Sequence, residues 1–270
     1  VGWSGAPAAD WDSLAATVRG GLCAGMSGIP FWSHDIGGYR GAPAPDLYVR
    51  WAQFGLLCSH SRMHGDGPRE PWIFGPRALA IVRRFIRLRG RLFPYLYSLA
   101  REAAATGMPV LRAMPLAFPG EPCAHGFDLQ YMLGPWLLVA PVTSPDGRKD
   151  VYLPRPAKAR EGTDGGGDWI DFWTGRRHEA GRCLRLKVPL SRIPLFVRAG
   201  AILPMIPYAS RVPEGPIPNL VIQAYPGAES SFTLLEDEGR TRFDLVRRGN
   251  RYALTSAGWR PQSKLKIVWR

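Results

Sequence analysis

The sequence predicts an α/β chain in which a parallel βα array gives way to antiparallel β structure. Three observations carry this. Trp3, Phe31 and Ser59 each stand near the end of a short apolar run, 28 residues from one to the next, which is the spacing of strand, loop and helix units. Stretches with helical periodicity separate those runs. After Gly107 come short alternating or apolar segments, punctuated by Pro and Gly about every ten residues, as in a β-sandwich.

Taken in order, Asp10 can cap a first helix carrying Trp11, Leu14, Val18 and Leu22, which the Gly20-Gly21 and Gly25 breaks should end. GIPFW at 28–32 reads as a buried strand emptying into the loop SHDIGG. A second helix fits 46–56, started by Asp46, and LLC at 56–58 leads into the polar loop SHSRMHGDGPREP. The longest helical signal runs over about 77–105 through Leu79, Val82, Phe85, Ile86 and Leu92, with Pro94 kinking or restarting it. In a βα barrel the loops after the strands carry the chemistry. Beyond 108, VLRAMPLAF, WLLVAPV, DVYLP, WIDFW and LRLKVPL are strand-like, EGTDGGGD at 161–168 is an exposed turn, and three further β segments close the chain.

With 270 residues, 46% of them hydrophobic, the chain can bury a sizeable core. It contains no apolar run of the ~18–20 residues that crosses a bilayer, so no membrane partner is expected. Thirty-five basic against 22 acidic residues leave +13. That excess is nearly all Arg and spreads along the whole chain, so it predicts solvated faces, including Arg83, Arg84, Arg87, Arg89 and Arg91, rather than a nucleic-acid partner. Cys23 and Cys58 sit in small apolar surroundings and read as buried free thiols, which suggests a reducing, cytoplasmic setting. The start at Val1, without Met or signal peptide, reads as a start inside a longer protein.

Longer motifs then carry a resemblance: WSG and DWDSL within 3–14, GMSGIPFWSHDIGGY at 25–39, RWAQFGLLCSHSRMHG at 50–65, RLFPYLYSLAREAAATGMPVLRAMPLAFP at 91–119, QYMLGPWLLVAPV at 130–142 and IPLFVRAGAILPM at 193–205. In this order they resemble the C-terminal part of glycoside hydrolase family 31, the retaining α-glucosidases and α-xylosidases. The resemblance implies the C-terminal part of a (β/α)8 barrel over 1–108, a proximal β-sandwich domain over 109–204 and a truncated distal β domain over 205–270. It also implies double displacement on a terminal α-glucoside or α-xyloside, without metal or organic cofactor. One Asp attacks the anomeric carbon. A second, about 5–5.5 Å away, protonates the leaving oxygen and later deprotonates water.

The chain departs from that pattern twice. Nothing in it matches the family's nucleophile, which the resemblance assigns to an earlier barrel strand, so the N-terminal part of the same protein is an expected partner. The family's acid/base Asp follows Trp-x-Gly, and here Trp3-Ser4-Gly5 is followed by Ala6. Asp10 is the nearest carboxylate and is better read as a helix cap. Among substrate-binding candidates, His64 matches the family's His on the sugar hydroxyls, and an imidazole can both donate and accept. Asp35 resembles a carboxylate that orients donors at the pocket. His34 is expected to pack or hydrogen-bond beside it. Trp32 is an apolar wall for a sugar or a core residue, Trp3 lines the pocket, and Arg62 is a pocket cation or half of an ion pair. FPYLY at 93–97 reads as core, and Glu236-Asp237-Glu238 as a hairpin turn. The competing reading is a catalytically inactive sugar-binding paralogue.

Overall fold

The computed structural model describes residues 1–155, 167–208, 211, 217, 219–237, 239–258 and 264–270. Most of the loop expected at 161–168, and Glu238, lie outside them.

The first hundred residues form parallel strands covered by helices. β1 (Gly2–Trp3) pairs in parallel with β2 (Trp32–Ser33). A parallel bridge between Asp35 and Arg62 carries the array to a third extended segment, where the His60 amide donates to the Trp32 carbonyl at 3.3 Å. β2 sits further along than GIPFW suggested, because its ladder starts only where the Gly2 amide meets the Phe31 carbonyl. Helix α1 (Trp11–Met26) is capped by the Asp10 carboxylate, which accepts from the Ser13 amide at 2.7 Å. It runs through Gly20 and Gly21 and ends at Met26, one residue past Gly25, and at Gly21 packing explains the glycine. A Cβ on Gly21 would lie 2.5 Å from the Trp32 indole nitrogen, so the glycine lets the strand's Trp lie against the helix.

Helix α2 (Pro45–Gly55) starts one residue before Asp46, since Pro45 is preset for the first helical turn and Ala44 stands at the cap. Pro94 does restart the long helical stretch, dividing it into α3 (Pro76–Arg91) and α4 (Phe93–Thr106). Arg89 departs from the solvated face. It donates to the carbonyls of Leu56, Cys58 and Ser59 at 2.5–3.1 Å and ties α3 to the third extended segment.

Next come β3 (Leu111–Ala113), the short helices α5 (Met114–Ala117) and α6 (Pro122–His125), β4 (Tyr131–Leu133), β5 (Leu137–Val139) and β6 (Arg148–Leu153). β7 (Trp169–Asp171), β8 (Arg177–His178), β9 (Arg182–Lys187) and β10 (Leu195–Arg198) follow. Six of these strands form one antiparallel sheet in the order β3-β4-β5-β10-β7-β8, and β6 pairs with β9 in a second layer. Alternation divides the burial. Leu137, Val139, Leu195 and Val197 join the large core shared with the helices, whereas Leu138 and Phe196 pack in a second core with Val151 and Leu153. Buried Arg50 on α2 reaches across to this unit, donating to the Val188 and Arg192 carbonyls at 2.6 Å each.

The chain continues with β11 (Ile202–Met205), β12 (Asn219–Ala224), β13 (Ser230–Glu236), β14 (Gly239–Arg248), β15 (Arg251–Ala257) and β16 (Lys264–Trp269). They make two three-stranded sheets, β11-β12-β16 and β13-β14-β15. The division expected between 204 and 205 falls inside β11, a strand whose partner is β12. FPYLY forms the first turn of α4, where Pro94 and Tyr95 are buried. Tyr97 donates to the Asp237 carboxylate and so ties α4 to the residue that follows β13. Of the two thiols expected inside, Cys58 is buried but Cys23 is exposed on α1, because the helix turns Leu22 rather than Cys23 to the core.

Candidate active site

Three consecutive loops leave the carboxyl ends of the parallel strands: 4–10 after β1, 34–44 after β2, and 62–70 after the third segment. They are stitched together by the backbone. The Tyr39 and Arg40 amides donate to the Pro7 carbonyl at 2.8 and 3.0 Å, and the Asp66 amide donates to the Tyr39 carbonyl at 2.8 Å. Gly38 allows the closest approach. Its φ is +80°, and a Cβ there would stand 2.7 Å from the Ala8 carbonyl oxygen.

Period-two alternation decides which side chains of the second strand meet the site. Trp32 packs against α1 and is 7% exposed, so it takes the core role rather than that of a sugar wall. His34 also turns into the helix layer. Its Nδ1 accepts from the Trp51 indole at 3.1 Å and its ring stacks on Phe54 at 4.5 Å. Burial lowers its pKa to about 3, so it is neutral at physiological pH. Asp35, one residue on, faces the other way. Its Oδ1 accepts from Arg62 Nε at 2.6 Å, while its Oδ2 is buried with no hydrogen-bond partner among the described residues.

The Arg62 guanidinium lies 4.4 Å from the centroid of the Trp3 ring, which is itself half exposed. A cation over an indole face is a favourable contact, and the carboxylate, guanidinium and indole therefore form one chain of contacts across three strands, buried at Asp35 and open at Arg62 and Trp3. His64, two residues beyond Arg62, is exposed, and its ring is 5.6 Å from that of Tyr39. Ala6 is exposed in the loop after β1.

One residue that holds this arrangement had no signal in the sequence. Buried Arg69 donates to the carbonyls of Gly38, Tyr39, Gly41, Gly67 and Pro68 at 2.5–3.2 Å, and its Nη2 lies 3.6 Å from the Asp66 carboxylate. It clamps the loop after Asp35 to the loop bearing His64. A Cβ on Gly65 would sit 2.7 Å from its guanidinium carbon, so the glycine leaves the guanidinium its space.

Comparison with known proteins bears on what this surface does. Residues 1–99 match the glycosyl hydrolases family 31 TIM-barrel domain, and residues 107–203 match the glycosyl hydrolase family 31 C-terminal domain. The chain belongs to glycosyl hydrolase family 31. Within that family it is 38% identical over 248 residues to an alpha-xylosidase of Saccharolobus solfataricus, covering 89% of this chain and 33% of that protein. It is 39% identical to an alpha-xylosidase of Emericella nidulans, covering 82% and 28% respectively. A family 31 dextranase of Flavobacterium johnsoniae, solved with isomaltotriose, superposes with a TM-score of 0.84 at 34% identity over 94% of this chain and 33% of its own. The family 31 alpha-xylosidase of Xanthomonas citri gives 0.83 at 30% identity over 99% and 32%. The chain thus spans about a third or less of the length of these family 31 proteins.

Proposed function

We propose that this chain is the C-terminal portion of a retaining α-glycosidase acting on terminal α-glucosides or α-xylosides, with its sugar site at the Asp35, Arg62, Trp3 and His64 surface. The observation that carries this reading is the buried Asp35 carboxylate. One oxygen is held by Arg62, which is part exposed beside Trp3, and the other has no partner among the described residues, so a buried acceptor at a strand's carboxyl end calls for a donor from a neighbouring barrel strand while it orients the exposed Arg62. His64 would exchange hydrogen bonds with the sugar hydroxyls, and Trp3 would present an apolar face beside them. The alpha-xylosidase relatives favour the xyloside branch of the proposal.

In double displacement a carboxylate displaces the aglycone to form a glycosyl ester, with a second group protonating the leaving oxygen. That group then takes a proton from the water that cleaves the ester. On this reading the attacking carboxylate comes from outside these 270 residues, and Ala6 stands where the proton-transferring Asp is expected. Asp10 is no substitute, because its carboxylate is occupied as the cap of α1. Ala6→Asp, made in the protein that joins this chain to its preceding barrel strands, should raise hydrolysis of aryl α-xylosides or α-glucosides about 10²–10⁴-fold. A rate that stays at background would overturn the assignment of position 6.

Ala6 also favours a second reading, a sugar-binding protein without turnover. The same protein carrying Ala6 should then bind α-xylosides or α-glucosides in calorimetry, with His64→Ala weakening the binding. No heat on titration excludes it.

A further inference from the structure

We propose that the cavity between the β6–β9 pair and segment 126–130 binds an oxyanion, the phosphate or carboxylate of a sugar-sized ligand, through Lys149. The cavity lies in the proximal sheet unit, and nothing in the catalytic reading uses it. Its volume is about 690 Å³, within the roughly 300–1,000 Å³ typical of small-molecule sites. Arg148, Lys149, Arg185 and Lys187 contribute to its lining, with Asp128 and Asp150 as the acidic groups. The antiparallel register sets Arg148 opposite Lys187 and Asp150 opposite Arg185, two rungs apart, with Lys149 opposite Leu186 on the rung between them.

The charges do not balance within the cavity. Asp128 is taken by Arg19 at 2.6 Å, from helix α1. Arg148 has the Asp146 carboxylate at 3.7 Å, and Lys187 donates to the Asp146 carbonyl. Lys149 has one acceptor, the Leu129 carbonyl at 2.9 Å. Among the described residues no carboxylate lies within ion-pair distance of it. Burial lowers its pKa to about 8; Asp128 opposes that shift, Arg19 adds to it, and Asp150 opposes it more weakly. An ammonium with three donors and one acceptor, in a cavity with surplus positive charge, is completed by an anion. That anion would stabilise the protonated amine, so binding should take up protons near pH 8 and weaken as the pH rises past it.

The test is calorimetry on the 270-residue chain at low salt with inorganic phosphate, glucose 6-phosphate and glucuronate, using glucose as the neutral control. At least one anion should bind while glucose alone does not, and the phosphate and glucuronate arms separate the two sources of negative charge. Near pH 8 the apparent heat should differ between two buffers of unlike ionisation enthalpy, reporting proton uptake. Lys149→Met should weaken binding at least about tenfold, the scale of one lost charge-assisted hydrogen bond. Should that variant fail to fold, acetic anhydride labelling of the unaltered chain serves instead. The anion should protect Lys149 and leave the β16 lysines Lys264 and Lys266 unprotected. Silence from every anion, equal binding of glucose, an unaffected Lys149→Met, or unprotected Lys149 would each overturn the proposal.

Discussion

Arg62 Nε meets Asp35 Oδ1 at 2.6 Å, and the two residues come from adjacent parallel strands whose backbones are bridged at those same positions. The carboxylate side chain is fully buried, whereas the guanidinium side chain is 42% exposed. The pair is therefore asymmetric, and Asp35 depends on Arg62 more than the reverse. Arg62→Met should strand a buried acceptor and cost about 2 kcal/mol in urea unfolding, in the range for an orphaned buried group. Asp35→Asn should cost less, because an amide is cheaper to bury than a carboxylate. Equal losses would show that Asp35 is solvated in the folded chain.

Arg69→Ala removes the donor from five loop carbonyls at once. It should cost about 3 kcal/mol or more and speed amide exchange at 37–41 and 63–68 together. Arg69→Lys keeps the charge but has three donors in place of five, so partial loss is expected. Exchange that rises in only one of the two loops would deny the clamp.

Gly38→Ala combines a positive φ with a Cβ placed 2.7 Å from the Ala8 carbonyl oxygen. The strain, with the loop separation it forces, should cost about 2–3 kcal/mol. Gly41 also has positive φ but open space around its Cβ position, so Gly41→Ala should cost only about 1 kcal/mol. The difference between the two, read from Tm, isolates the steric contact.

His34 makes stability depend on pH. Its pKa is about 3 when folded against 6.5 as the ordinary value, so between those limits the unfolded chain binds a proton that the folded chain does not. Stability should therefore fall as the pH drops below about 6.5, by up to about 1.4 kcal/mol per unit. His60 and His178 are shifted in the same direction by burial. His34→Gln should flatten the slope of unfolding free energy between pH 6.5 and 4 relative to the unaltered chain, and an unchanged slope would remove His34 as its source.

Much of this was readable from local pattern. Helical periodicity located the helices over 11–26 and 76–106, Asp10 announced its cap, and Pro94 its break, because each depends on neighbours within a turn or two. Alternation located the sheet strands for the same reason. Glycines misled where a distant contact uses them: α1 runs on through Gly20 and Gly21, and Gly21 is there to let Trp32 lie against the helix.

The motifs within 3–14, at 25–39 and at 50–65 brought Trp3, Asp35, Arg62 and His64 forward as candidates and, with those further along, suggested the family. Which of them face one another was decided by tertiary structure. Parity along the second strand sends Trp32 and His34 into the helix layer and Asp35 toward Arg62, and that assignment needs the strand's neighbours to define inside and outside. Arg69 and Lys149 carry no pattern at all. Gly38, Tyr39 and Gly41 for the one and Leu129 for the other lie far away in sequence, and a guanidinium or ammonium acquires its role only when folding removes the water that would otherwise satisfy it.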